Sequence, residues 1–127
     1  MVQILKLDLD GKNGLDIFLQ RMWIMKYLGL KTEYVKVYHT TNGYHLVLGL
    51  DNEIEPIKAI LIQCILGDDY RRSACLLLRY ERGCKDWNVL FKTKYKVNQL
   101  GQRIKVSEEK YDPELSEKIL NLLRLGE

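Results

Sequence analysis

The chain has 127 residues, 46% hydrophobic and 29% charged, with a formal net charge of +3. That length supports one domain with its own core and requires no disulfide or metal staple. No apolar run approaches the roughly 20 residues of a membrane span, and the first residues lack a basic stretch leading into an apolar one, so neither membrane insertion nor a secretory leader is expected. Cys64, Cys75 and Cys84 are odd in number and widely spaced, with no C-x-x-C pair. This argues against a zinc knuckle and for a reducing, cytoplasmic compartment.

Leu5, Leu7 and Leu9 alternate with Lys6, Asp8 and Asp10, which predicts a strand with one apolar face. Gly11, Asn13 and Gly14 break it. Over residues 15–28, Leu15, Phe18, Leu19, Met22 and Met25 recur at i, i+3, i+4, i+7, the spacing of an amphipathic helix, and Gly29 ends it. Residues 34–48 read as two alternating strands meeting at Asn42-Gly43, a strong hairpin signal, since both residues tolerate the positive φ of a type I′ turn. That turn sets Thr41 opposite Tyr44, Val37 opposite Leu48 and Tyr38 opposite Val47. His39 then falls on the core face as a buried or capping histidine. The other face carries Tyr34, Lys36, Tyr38 and His45.

Acidic and capping residues from Asp51 to Glu55, followed by Pro56, predict a helix entrance, with Ile57, Ile60, Leu61, Cys64 and Ile65 inside the helix and Gly67 after it. Asp68-Asp69 restarts a second helix from Tyr70 to about Arg82, closed by Gly83. Residues 88–96 alternate as a further strand, and Asp112-Pro113-Glu114 opens a last helix reaching about Arg124. Between residues 71 and 105 ten basic residues stand against Glu81 and Asp86, a local net charge of +8 that favours a polyanionic partner.

One domain is expected over residues 1–127, its core at 2–96 and a C-terminal extension at 97–127 ending in a helix. The order predicts an α+β fold: a ferredoxin-like, or RNA-recognition-motif-like, β-α-β-β-α-β antiparallel sheet with helices on one face, plus the C-terminal helix. In that topology the first strand lies between the third and the strand at 88–96. Asp8 and Asp10 would then sit beside His45 and beside Lys92 and Lys94 on the helix-free face.

Carboxylates at i and i+2 of a strand share a face with Cβ atoms about 7 Å apart, a separation at which they can share Mg²⁺ or Mn²⁺. The same Asp-x-Asp pattern also fits a strand end running into solvent. Tyr34 and Tyr38 around Lys36 have the pattern of a base-stacking platform with a phosphate contact, although tyrosine is also simply a good strand former. Arg71, Arg72 and Arg79 on the second helix suit phosphates or neighbouring acids equally.

The Asp-x-Asp strand, the hairpin Thr41-Asn42-Gly43-Tyr44-His45 and the later basic segment resemble the archaeo-eukaryotic primase superfamily. More narrowly, with residues 66–72 and 89–94 included, the chain is similar to small primase-like proteins of archaeal viruses, plasmids and genomes. The resemblance implies that Asp8 and Asp10 ligate the metal and that, in an active enzyme, His45 joins them in the catalytic set by contacting nucleotide phosphates. It also implies a third carboxylate on a later hydrophobic segment. The segment 75–80 carries none, and Asp68, Asp69 or Asp86 could substitute only if the chain returns one of them to the first strand. The expectation is therefore a small protein binding single-stranded DNA or RNA, in replication of an archaeal virus or plasmid, through Tyr34, Lys36, Tyr38, Arg71, Arg72, Arg79, Lys92 and Lys94, and without full catalysis. A metal-dependent nucleotidyltransferase or nuclease using Mg²⁺ or Mn²⁺ is the first alternative. A homodimeric interaction module is the second.

Overall fold

The computed structural model describes residues 1–90 and 93–125. In chain order the elements are β1 (Val2–Asp10), α1 (Gly14–Arg21), α2 (Trp23–Tyr27), β2 (Thr32–Thr40), β3 (Gly43–Ile54), α3 (Pro56–Ile65), α4 (Tyr70–Glu81), β4 (Thr93–Val97), β5 (Arg103–Glu108), β6 (Lys110–Tyr111) and α5 (Pro113–Leu125). The fold is α+β. A four-stranded antiparallel sheet in the order β1-β3-β2-β6 carries packed helices, and α5 is the C-terminal helix. Alternation places Leu5, Leu7, Leu9, Val35, Val37, Leu46 and Leu48 on one buried face. Phe18 of α1, Met25 of α2, Ala59, Ile60 and Ile62 of α3, Leu76 of α4 and Ile119 and Leu123 of α5 complete the core. No helix among the described residues is long and apolar enough to cross a membrane.

The strand beside β1 is not the expected one. Of the segment expected as that strand, the described residues from Thr93 onward belong to the short β4, which pairs with β5 as a separate two-stranded sheet, and the fourth strand of the main sheet is β6, next to β2. The reason lies along the outer edge of β1. The Lys6 amide donates to Gln63 Oε1 (2.9 Å), the Lys6 carbonyl accepts from Arg72 Nη1 (2.9 Å), the Asp8 amide donates to Asp68 Oδ1 (2.8 Å), and the Asp8 carbonyl accepts from the Asp69 amide (3.1 Å). Side chains and loop backbone take the places a strand would use, which also closes an edge open to intermolecular pairing.

The hairpin keeps its faces and changes its register. Thr40 pairs with Gly43, Tyr38 with His45 and Val37 with Leu46, so Thr41 and Asn42 make the turn and the partners are displaced by two residues. Among the described residues no non-glycine residue has a positive φ, and φ at Gly43 is not positive either, so the turn is not type I′. Gly43 serves a different need. It sits opposite Asp10, and a Cβ there would collide with the Leu9 carbonyl oxygen. Close approach of β1 to the hairpin tip, reinforced by a Gly11 amide bond to the Asn42 carbonyl (2.7 Å), draws the glycine into the strand.

Three further boundaries differ. The helix expected over 15–28 is broken at Met22 into α1 and α2. Asp51 to Ile54 belong to β3, and α3 starts at Pro56. His39 shares the core-face parity but lies at the sheet's end, half exposed, with Nε2 2.6 Å from Asp112 Oδ2 and its ring against Tyr44. The segment expected as an extension is joined to the main sheet: the Asp112 amide donates to the Val37 carbonyl (2.8 Å), and the Val37 amide donates to Ser116 Oγ (2.9 Å).

Candidate functional site

The face of the sheet opposite the core is built by the other half of each alternation. Register aligns Asp8 of β1, His45 of β3, Tyr38 of β2 and Tyr111 of β6 as one row across four strands. The Tyr38 and Tyr111 rings lie 5.4 Å apart, tilted by 50°. The next row is Lys6, Val47 and Lys36, and beyond it stand Ile4, Gly49 and Tyr34. The Tyr34 ring covers Gly49, where any Cβ would strike it, and Lys36 Nζ sits 5.7 Å from that ring's centre. The absent side chain at Gly49 therefore leaves room for an aromatic ring against the sheet with a cation beside it.

His45 is only 3% exposed. Its Nδ1 lies 2.9 Å from Glu109 Oε2 and its Nε2 lies 3.6 Å from Asp8 Oδ1. The first distance is a hydrogen bond and the second is not. Ionised Glu109 can only accept, so the bond places a proton on Nδ1. A neutral ring then presents the Nε2 lone pair toward Asp8, and a protonated ring presents a donor there. Glu109 also faces Tyr38, whose hydroxyl is pushed above its ordinary range by burial first, and then by Glu109, Tyr111 and Tyr34. The phenol therefore stays a hydrogen-bond donor at neutral pH.

A cavity of about 330 Å³ opens over this row, lined by Asp8, His45, Arg71, Arg79, Leu76 and Leu90 among others. A hollow of about 200 Å³ lies beside it, lined by Lys6, Tyr34, Lys36, Tyr38, Leu90 and Glu109 among others. Leu90 borders both, so the two make one continuous surface. Arg71 is exposed, held at 3.4 Å from its helix-capping Asp69, with its guanidinium 5.9 Å from the Tyr70 ring. Among the described residues no carboxylate pairs with Arg79.

The expected site residues separate into groups. Asp8, His45, Tyr34, Lys36 and Tyr38 share the open face, and Arg71 and Arg79 reach its cavity. Arg72 does not serve as a surface cation. Nε donates to the Val89 carbonyl (3.1 Å), Nη1 to the Lys6 carbonyl and to Asp68 Oδ2 (both 2.9 Å), and Nη2 to Asn88 Oδ1 (3.1 Å) and the Val89 carbonyl (3.0 Å). Five hydrogen bonds reach four acceptors, so Arg72 clamps the helix pair, the edge of β1 and the segment at residues 88–89 together. Asp10 is exposed at the end of β1. Lys92 lies outside the described residues, and Lys94 lies on β4, which pairs with β5 and not with β1.

Two residues of this face had no forecast. Glu109 and Tyr111 reach it because the chain returns past β2 as β6. Glu109 is the carboxylate that comes to the Asp8–His45 pair. Asp68 instead binds the Asp8 backbone. It also accepts from Arg72 and Ser73, while burial holds its carboxyl above the ordinary range against the pull of Arg72. The imidazole stands between Asp8 and Glu109, and among the described residues no three His, Cys, Asp or Glu side chains group to hold a metal ion. No family model, curated protein or solved structure matches the chain.

Proposed function

We propose that this chain binds single-stranded nucleic acid on a primase-like scaffold, without full catalysis, and that the open sheet face is its contact surface. The observation that carries the reading is the aromatic platform of Tyr34, Tyr38 and Tyr111 around Lys36, continuous with a cavity bordered by Arg71 and Arg79. Rings exposed on a sheet stack unpaired bases, and flanking cations follow the phosphate chain. The concentration of positive charge between residues 71 and 105 adds a long-range attraction for a polyanion. The register pairing of Asp8 with His45 supports the primase resemblance, since those are the residues that carry it. On that resemblance the protein serves replication of an archaeal virus or plasmid.

Fluorescence anisotropy with a labelled single-stranded oligonucleotide, at low and at moderate salt, tests the reading. Affinity should fall as salt rises, because phosphate contacts release counterions. Tyr38→Ala should weaken binding by about 5- to 150-fold, the value of about 1–3 kcal/mol per stacked base. Lys36→Glu should weaken it further at low salt. Thermal melting of each variant separates lost contact from lost fold. Absent binding, binding indifferent to salt, or full affinity in a folded Tyr38→Ala variant would each reject the proposal.

A further inference from the structure

On α3, Ile57, Leu61 and Ile65 are 48%, 58% and 46% exposed. They recur at i, i+4 and i+8, so they form one stripe along the solvent side of a helix whose other side is already in the core. Soluble helices ordinarily put charge there. The adjoining α4, which packs on α3, repeats the pattern with Tyr70, Ala74 and Leu78 exposed at the same spacing. Each of the two helices therefore presents an apolar stripe to solvent, distinct from the tyrosine face.

We propose that this surface is the interface with a second copy of the chain, docked through α3 across a two-fold axis near Leu61. The stripe is a palindrome. Ile57 and Ile65 lie symmetrically about Leu61, so a two-fold axis there sets Ile57 of each copy against Ile65 of the other and Leu61 against itself. A two-fold interface requires this kind of self-complementarity. The charges at the helix ends match the same arrangement. Exposed Glu53 and Glu55, against Lys58, make the entry to α3 acidic. Its exit carries Arg21, whose Nη1 donates to the Ile65 carbonyl at 3.1 Å. Antiparallel pairing brings each acidic entry onto the partner's Arg21. Ridges of i±4 residues on both helices mesh at a crossing of about 50°. A standard interface buries about 800 Å² per partner, more than one short helix supplies, so the α4 stripe belongs to the contact.

Sedimentation equilibrium measures the association. The full chain should dimerise reversibly. Leu61→Glu, at a position exposed enough to leave the helical circular dichroism intact, should raise the dissociation constant by about thirtyfold or more, as expected for a central anchor. Arg21→Glu and Glu55→Arg should each weaken self-association. An equimolar mixture of the two should associate, because every entry–exit contact in the mixed dimer is again of opposite charge. A monomer at all concentrations, a dimer unchanged by Leu61→Glu, or a mixture no better than its components would overturn the proposal.

Discussion

Removing the Arg72 guanidinium tests whether that side chain serves the fold or a ligand. In Arg72→Met the Asp68 carboxylate, fully enclosed, loses its cation at 2.9 Å, and the carbonyls of Lys6 and Val89 lose their donors. Breaking a buried ion pair from one side costs about 3–5 kcal/mol, because an uncompensated charge stays behind. Against a total stability of about 5–15 kcal/mol this is a large fraction. At this chain length it lowers the melting temperature by about 10–20 °C. The stranded charge is the main part of the loss, so Asp68→Asn/Arg72→Met should recover at least about 1 kcal/mol relative to Arg72→Met alone. The amide oxygen of the introduced asparagine still accepts from the Asp8 amide. The pH dependence carries a sign of its own. Burial already holds the Asp68 carboxyl above its ordinary range while Arg72 pulls it down, so loss of Arg72 raises it further. A carboxyl with a raised folded pKa takes up its proton in the folded state first, and stability lost at neutral pH returns as pH falls through that value. Urea titrations followed by far-ultraviolet circular dichroism at neutral and mildly acidic pH measure all three quantities. A loss below about 1 kcal/mol in Arg72→Met, or a double variant no more stable than the single, would refute the clamp.

Two further outcomes follow from the hairpin and the start of α5. Gly43→Ala places a methyl group against the Leu9 carbonyl and should destabilise the fold by about 1–3 kcal/mol through overpacking, read from the urea midpoint, while a tolerated alanine would contradict the close approach of β1. Asp112 accepts from the Leu115 amide and from His39, which hold its carboxyl below the ordinary range in that order of importance. A lowered folded pKa adds stability above the unfolded value, and that stability disappears as pH falls through the folded one. Asp112→Asn keeps the capping acceptor and removes the titration, so the acid limb of the stability profile should become shallower, and an unchanged limb would assign the acid sensitivity elsewhere.

Features that depend on near neighbours were readable from the chain. Glycines with positive φ follow α2, α3 and α4 where Gly29, Gly67 and Gly83 were expected to end helices, because helix termination depends on only a few adjacent residues. The division of β1, β2 and β3 into core-facing and open faces was also readable. Side chains alternate with period two, so a register displaced by two residues moved every cross-strand partner of the hairpin and no side chain to the other face. Asp8 and His45 met for the same reason.

What the linear pattern did not contain was the competition for the edge of β1. Gln63, Asp68 and Arg72 lie 57 to 66 residues from the backbone groups they satisfy. Nothing local distinguishes an arginine that will saturate carbonyls from one that will meet a phosphate. Once those side chains close the edge, the strand expected at residues 88–96 has no ladder to join. The fourth position in the sheet passes to β6, and the returning chain delivers Glu109 to Nδ1 of His45, 64 residues from it in sequence. Alternation had assigned residues to faces, whereas long-range hydrogen-bond partners selected the neighbouring strand and the carboxylate beside the histidine.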